Sequence, residues 1–227
     1  MKKIIDKFYN TGFFYRIFHT VVYCLKRELK DCKTVLDLGC GPSSPLQYSK
    51  NIDYSVGVEA FAPYLGESKK RKIHTEYIEK RIEEVDFPEK SFDAVIMIEV
   101  LEHLTEEKGY EILKKAEKWA RKKVIVSTPN GFLPQRERDD NQFQKHLSGW
   151  NIKTLNKLGF KCRGLAGFRF LRQEAPEVIE EGDFMASIKK QPRFFWFIAA
   201  TLSQLFTYSF PKSAFELFCV KKIYPIK

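Results

Sequence analysis

Four short runs of β-branched and apolar residues, each bounded by turn-forming residues, constrain the fold of this chain more than any other feature. The runs are TVLDLG (34–39), YSVGVEA (54–60), FDAVIMI (92–98) and KKVIVSTPN (122–130). Most intervals between them have room for a helix, and 63–72 and 104–122 carry helical patterns. Strands that alternate with helices form parallel sheets covered by helices on both faces. We therefore predict an α/β domain with a doubly wound sheet.

The remainder of the chain predicts extensions around this domain. Residues 1–30 read as one or two amphipathic helices, which gives an N-terminal helical extension followed by a main domain over 31–227. Within that domain, 149–160 predicts a helix, 160–167 a strand and AFELFCVKK (214–222) a last strand. The stretch 167–211 between the last two strands is predicted to be a helical insertion.

Composition excludes some classes of protein and locates the charge. With 44% hydrophobic residues, the chain has enough apolar material for a packed core, which excludes a disordered or collagen-like protein. The net charge of +10 comes from the ends: 1–30 contributes +5 and 186–227 contributes +6, which leaves −1 for 31–185. The basic ends therefore serve a purpose separate from that of the centre.

The cysteines and the amino terminus indicate a reducing compartment. Five cysteines, without a C-x-x-C pair, argue against a disulfide framework or a zinc site (Cys24, Cys32, Cys40, Cys162, Cys219). The first residues lack the apolar segment of a signal peptide. We expect a cytoplasmic protein.

The end of the first predicted strand carries a cofactor signal. Asp37 is followed by Gly39 and Gly41, two glycines that let the backbone turn tightly and approach a ligand. A dinucleotide fingerprint would require glycine at position 44, where Ser44 stands. Because the carboxylate would repel a pyrophosphate and suit a positively charged ligand, the loop favours S-adenosylmethionine over NAD. Glu59 ends the second strand, where a carboxylate can accept both ribose hydroxyls of an adenosine.

Four motifs together resemble the class I S-adenosylmethionine-dependent methyltransferases: VLDLGCG (35–41), GVEA (57–60), FPEKSFDAVIMIEVLEHL (87–104) and VIVSTPN (124–130). The resemblance covers about 31–165 and 214–222. It implies a Rossmann-like sheet of seven strands whose last strand is antiparallel. It also implies a cofactor site formed by Asp37, Gly39, Cys40, Gly41, Glu59, Ala60, Arg81, Ile82, Ile98 and Glu99. Arg81 departs from the family, which often has an acidic residue there to bind the adenine amino group.

A second set of residues follows the fourth strand. Glu99, Glu102 and His103 are predicted to share one face of a helix that begins there, and His146 follows the fifth strand. This set is similar to the metal-binding residues of small-RNA 2′-O-methyltransferases and ubiquinone-pathway O-methyltransferases. A divalent cation on these four residues is one interpretation; the favoured alternative is a helix start without metal. His146 and Glu99 are the candidate catalytic residues, with His146 as a base or substrate contact.

The segment 194–210 is a 17-residue, largely apolar run with basic residues on both sides. It is shorter than the roughly 20 residues that span a bilayer. Three interpretations stay open: a cap over the substrate site, a homodimer face, or a helix at an anionic membrane surface, at the inner face of the cell membrane.

The sequence therefore predicts an enzyme that methylates a hydroxyl of a small-molecule or lipid-linked acceptor with S-adenosylmethionine. RNA 2′-O-methylation is the alternative, supported by the net charge, although no RNA-binding module is visible and nucleic acid is the less favoured partner. A catalytically silent scaffold that keeps the fold is the second alternative.

Overall fold

The computed structural model describes residues 17–137, 139–173 and 185–224. Their strands form one seven-stranded sheet of order β3-β2-β1-β4-β5-β7-β6. The strands are β1 (Thr34–Leu38), β2 (Tyr54–Glu59), β3 (Glu76–Glu79), β4 (Phe92–Ile98), β5 (Ala120–Pro129), β6 (Lys161–Phe168) and β7 (Ala214–Lys222). Neighbours among β1 to β5 are parallel, whereas β7 is antiparallel to β5 and β6. The predicted α/β sheet with an antiparallel last strand is confirmed.

The described α-helices are α1 (Val21–Glu28), α2 (Ala62–Lys70), α3 (Glu106–Trp119), α4 (Ile152–Lys157) and α5 (Arg193–Thr207). Helix α3 shows how the sequence specifies such an element. Its N-cap Thr105 accepts a hydrogen bond from the Lys108 N–H, which satisfies one of the unpaired donors of the first turn. The buried residues Ile112, Ala116 and Trp119 recur at three- and four-residue spacing, so α3 buries one face.

Both faces of the sheet are covered by helices. Successive residues of β1 belong to different buried clusters: Val35 packs with Leu25 of α1, and Leu36 packs with Ala116 of α3. This two-sided burial explains why the strands read as nearly continuous apolar runs.

The strand order reverses at β1, which lies between β2 and β4. In open parallel sheets, ligands bind beyond the carboxyl ends of the strands at such a reversal. Gly39 follows β1, Glu59 ends β2, Glu99 follows β4 and Asn130 follows β5. The topology therefore gathers the predicted site residues at one edge of the sheet.

The predicted helix at 99–103 is wrong. The Glu99 N–H still pairs with the Ser127 carbonyl at 2.9 Å, and Glu99 has a φ of 55°, which no helix accommodates. Only a 3-10 turn follows, at Leu101–His103, and α3 begins at Glu106. Glu99, Glu102 and His103 therefore lie around a turn and do not share a helical face.

The cysteine prediction also needs correction. Cys162 and Cys219 lie opposite each other on β6 and β7 and form a disulfide. Cys24, Cys32 and Cys40 are free and buried. The pairing joins residues 57 positions apart and depends on the strand register, which residue spacing alone does not reveal.

The extensions are described only in part. Helix α1 falls within the predicted N-terminal extension, whose residues 1–16 lie outside the described residues. Helix α5 falls within 167–211, of which 174–184 lie outside them. The domain boundaries stay a prediction. Among the helices of the described residues, none is both long and apolar enough to cross a bilayer.

Candidate active site

The loop after β1 turns back over the sheet edge through two left-handed glycines. Gly39 has a φ of 66° and Gly41 a φ of 58°. The N–H groups of Gly39 and Cys40 both donate to the Val58 carbonyl, at 2.8 and 3.0 Å. A Cβ on Gly39 would lie 2.7 Å from Cγ2 of Val100, whereas one on Gly41 would meet no atom within 4 Å. Position 39 thus requires glycine for both its backbone conformation and its space.

Glu59 at the end of β2 is fixed by the backbone around it. One carboxylate oxygen accepts the Gly41 N–H at 3.0 Å, and the other accepts the Phe61 N–H at 2.8 Å. Burial raises the pKa of Glu59, and these N–H groups oppose that rise. Each oxygen keeps a further lone pair, so the carboxylate can accept two hydroxyl groups of a ligand.

Two cavities that share Gly39, Glu59 and Glu99 occupy this edge of the sheet. The larger, of about 440 Å³, contacts Cys40, Gly41 and Ile98, and the smaller, of about 100 Å³, contacts Ala60, Arg81 and Ile82. The structure therefore brings nine of the ten predicted cofactor residues together around one cleft.

The tenth, Asp37, is buried beneath the loop. Its carboxyl accepts a hydrogen bond from Ser44 Oγ at 2.5 Å and lies 3.5 Å from Nε2 of His74. Burial raises the pKa of Asp37 to about 7, and the nearby Glu59 contributes. Through these contacts with Ser44 and His74, Asp37 holds the loop from below.

Glu102, His103 and His146 meet in the larger cavity. One potential ligand atom from each lies within 4.8 Å of the others. Nδ1 of His103 lies 3.2 Å from the Lys145 carbonyl, and Nδ1 of His146 lies 2.6 Å from the Leu133 carbonyl. A carbonyl only accepts, so Nδ1 donates in both rings, and Nε2 is the acceptor atom of each neutral imidazole.

The carboxyl of Glu102 completes this cluster. Its Oε2 accepts a hydrogen bond from Thr128 Oγ1 at 3.0 Å, and its Oε1 is buried without a hydrogen-bond partner. Burial raises the pKa of Glu102 to about 7. A buried carboxylate oxygen without a partner is costly, so this position favours a ligand, a proton or a cation. Glu99, the fourth predicted member, bonds to Ser127 and adjoins this group, because burial and the charge of Glu102 raise its pKa well above the usual range.

Sequence reasoning missed Ser127 and Glu216. Ser127 Oγ lies 2.6 Å from a carboxylate oxygen of Glu99 and 2.7 Å from one of Glu216. A hydroxyl has one proton, so it donates to one carboxylate and the other carboxyl must donate to it. Burial raises the pKa of both carboxyls, that of Glu216 to about 8 and that of Glu99 well above its usual range, so the group keeps a proton at neutral pH. The only signal in the sequence is a polar residue inside each of two apolar strands.

Glu216 also borders a cavity outside this cleft, of about 350 Å³, which we call the second cavity. Its walls come from residues 18–22, from Leu165 and Ala166 of β6, and from the inner side of α5. Glu216 therefore lies between this cavity and the 440 Å³ one, since it lines both.

A family model described as "Methyltransferase domain" matches residues 36–127, which include the glycine loop, Glu59 and Glu102. No curated protein matches the chain. Among solved structures, similar folds include a SAM-dependent methyltransferase from Archaeoglobus fulgidus (14% identity, 92% of this chain and 98% of that chain, TM-score 0.53). A second is the small RNA methyltransferase HEN1, at 17% identity and a TM-score of 0.54, with 88% of this chain and 25% of that chain covered. A third is the plantazolicin methyltransferase BpumL in complex with SAH, at 13% identity and a TM-score of 0.51, with 96% of this chain and 88% of that chain covered.

Proposed function

We propose that this chain, a class I methyltransferase by its domain match and fold, transfers the methyl group of S-adenosylmethionine to a hydroxyl of a small-molecule or lipid-linked acceptor. The enzyme class is the one that the sequence motifs predicted, and the match confirms it. The proposal concerns the acceptor and the residues that serve it.

The cleft fits this cofactor. The glycine loop leaves room where a side chain would intrude, and Glu59 presents two fixed carboxylate oxygens to a ribose. Arg81 lies beside the predicted adenine position but bonds to Glu83 at 3.1 Å, and its guanidinium lies 5.7 Å from the Phe143 ring centre. When bound, the cofactor supplies an electrophilic methyl carbon.

The cluster of Glu102, His103 and His146 carries the assignment to a hydroxyl acceptor. These residues line the same cavity as Gly39 and Gly41. A hydroxyl must lose its proton as it is methylated, and a lone pair at Nε2 of His146 or the Oε1 of Glu102 can accept that proton. Holding the acceptor in line with the methyl group supplies much of the remaining acceleration.

The same cluster fits a divalent cation. Both histidines donate Nδ1–H to backbone carbonyls, the arrangement that orients metal-binding imidazoles, and Glu102 Oε1 supplies an anionic oxygen. A cation there would polarise the acceptor hydroxyl and make its proton easier to remove.

Calorimetric titration with S-adenosylhomocysteine, with and without EDTA, tests the cofactor site. We expect micromolar binding by the wild type and a loss of roughly ten- to hundredfold in Glu59→Gln, because hydrogen bonds to a charged group are worth about 1.5–3 kcal/mol. Glu79→Gln, at the exposed end of β3, is the matched control and should bind normally. Absence of binding by the wild type would favour the scaffold and overturn the proposal.

Titration of EDTA-stripped protein with Mg²⁺, Mn²⁺ and Zn²⁺ tests the cation. If the cluster holds a cation, one site should disappear in both Glu102→Gln and His146→Ala, whereas Glu106→Gln at the exposed start of α3 should retain it. Equal binding by all variants, or none by the wild type, would overturn the assignment of a cation to this cluster.

RNA is the second candidate acceptor. A basic hollow of about 960 Å³ between α1 and Tyr48 carries Lys26, Arg27, Lys30 and Lys50, and one similar fold is that of a small RNA methyltransferase. Phosphate contacts make RNA binding steeply salt-dependent, so a steep decline of RNA affinity with salt would favour this acceptor.

A further inference from the structure

Helix α5 packs one side against the domain and exposes large apolar residues on the other. Phe197, Ala200, Gln204 and Thr207 are buried against the domain. The outward residues form what we call the outer face of α5: Phe194, Phe195, Ile198, Leu202, Leu205 and Phe206, each between 42% and 60% exposed. Six large apolar side chains on one exposed helical face are unusual for a soluble monomer and mark an interaction surface.

Helix α3 shows what an ordinary surface helix of this chain presents. Its exposed positions carry mainly charged side chains, and Tyr110 is its exposed aromatic residue, at 39%. The outer face of α5 has no charged residue after Arg193. The contrast shows that the apolar character of this face is specific to α5.

Cations surround the outer face. Lys189, Lys190 and Arg193 stand at the start of α5 and Lys212 follows its end, whereas residues 185–215 contain no aspartate or glutamate. The Lys190 ammonium lies 4.6 Å from the Trp196 ring centre, which holds this charge against the helix. The apolar face is therefore bordered by positive charge at both ends.

Two further exposed aromatic residues extend the surface. Phe170 is 61% exposed and Phe210 is 58% exposed, and the Phe210 ring stacks on Phe206 with centroids 4.5 Å apart. The end of α5 also adjoins the start of α1, because Tyr208 stacks on His19 at 4.2 Å. Lys26 on α1 and Lys30 just after it are exposed and add to the positive charge.

We propose that the outer face of α5 docks on an anionic lipid bilayer, with the helix lying in the plane of the interface. Apolar and aromatic residues enter the headgroup boundary, and the flanking cations bind anionic lipid. A second copy of this chain would bring two sets of like charges together, and a nucleic acid would leave the six apolar side chains in water. An anionic bilayer satisfies both the apolar residues and the charge.

Docking would place the second cavity close to the bilayer. Ala200, Thr201 and Gln204 on the inner side of α5 line that cavity, so one helix separates it from the lipid. This consequence rests on the proposed function, because it makes the cavity a site for a lipid-linked acceptor. The docking itself stands independently of the reaction.

Sedimentation with lipid vesicles tests the docking on the full chain. We expect the wild type to sediment with phosphatidylcholine vesicles that contain about one-third phosphatidylglycerol, more weakly with pure phosphatidylcholine, and less as salt is raised. Leu202→Glu and Leu205→Glu should each lower the partition coefficient at least tenfold. The control Tyr110→Glu, which also places a glutamate at an exposed apolar position but on α3, should bind like the wild type.

Each variant is also titrated with S-adenosylhomocysteine, and unchanged affinity shows that it is folded. Failure of the wild type to bind anionic vesicles, or equal binding by Leu202→Glu, would overturn the proposal. A wild-type dimer that Leu202→Glu dissociates, without vesicle binding, would assign the face to a second copy instead, and RNA binding without vesicle binding would assign the cations to RNA. Vesicle binding without cofactor binding would refute the proposed function and leave the docking intact.

Discussion

Replacing Gly39 with alanine is expected to lower the affinity for S-adenosylhomocysteine at least hundredfold while leaving the sheet folded. The residue has a φ of 66°, and its new Cβ would lie 2.7 Å from Cγ2 of Val100. A left-handed conformation costs a non-glycine residue roughly 1–2 kcal/mol, and the clash must move either the loop or Val100. Because the Gly39 N–H is tied to the Val58 carbonyl at 2.8 Å, any relief displaces the loop that faces the cofactor.

Substitutions at two other glycines distinguish the effect of backbone strain from that of the clash with Val100. Gly41→Ala has the same backbone strain but no clash, so its affinity should decrease by roughly tenfold. Gly66→Ala lies within α2 with open space around it, so affinity should not change and stability should rise by about 0.5–1 kcal/mol. Calorimetry and thermal melts measure both quantities. Wild-type affinity in Gly39→Ala would show that the loop does not contact the cofactor.

The cofactor side of the site could be predicted from the sequence because its residues lie on contiguous motifs. Gly39, Gly41 and Glu59 each stand at the end of an apolar run, and parallel strands bring such ends to one edge. The role of Asp37 was less predictable, since its contact with Ser44 depends on how the loop folds back over it.

The acceptor side depends on contacts that residue spacing does not encode. Ser127 and Glu216 are 89 positions apart and meet because β7 inserts antiparallel beside β5. The turn at 99–103 likewise follows from the hydrogen bond of Glu99 to the neighbouring strand, which overrides the helical spacing of the sequence. In α5 the polar residues Gln204 and Thr207 are buried while large apolar residues are exposed, so the sequence pattern does not reveal which side faces the domain.

Glu216→Gln is expected to make the chain more stable than the wild type above pH 8 and to flatten the dependence of stability on pH. Ser127 cannot donate to both Glu99 and Glu216, so one of these two carboxyls must carry a proton and donate it to Ser127. Burial raises the pKa of Glu216 from 4.5 to about 8; the charge of Glu99 adds to this shift and that of Arg172 opposes it.

The direction of the effect follows from which state of the chain, folded or unfolded, binds the proton of Glu216 more tightly. The folded state binds the proton of Glu216 more strongly than the unfolded chain, so its contribution is complete below about pH 4.5 and is lost as pH rises through about 8. Each pKa unit corresponds to about 1.4 kcal/mol, so the wild type loses a few kcal/mol across this range. A glutamine keeps the shape and hydrogen bonding of the carboxylic acid and cannot ionise.

Thermal unfolding between pH 5 and pH 9, in EDTA so that no cation binds the neighbouring cluster, measures this effect. A difference of about 2 kcal/mol corresponds to roughly 4–8 °C for a chain of this size, so we expect Glu216→Gln to melt higher by that margin at pH 9. Glu79→Gln, an exposed carboxylate, should follow the wild-type curve. Parallel curves for the wild type and Glu216→Gln would mean that Glu216 is ionised in the folded protein, and that Ser127 donates to it alone.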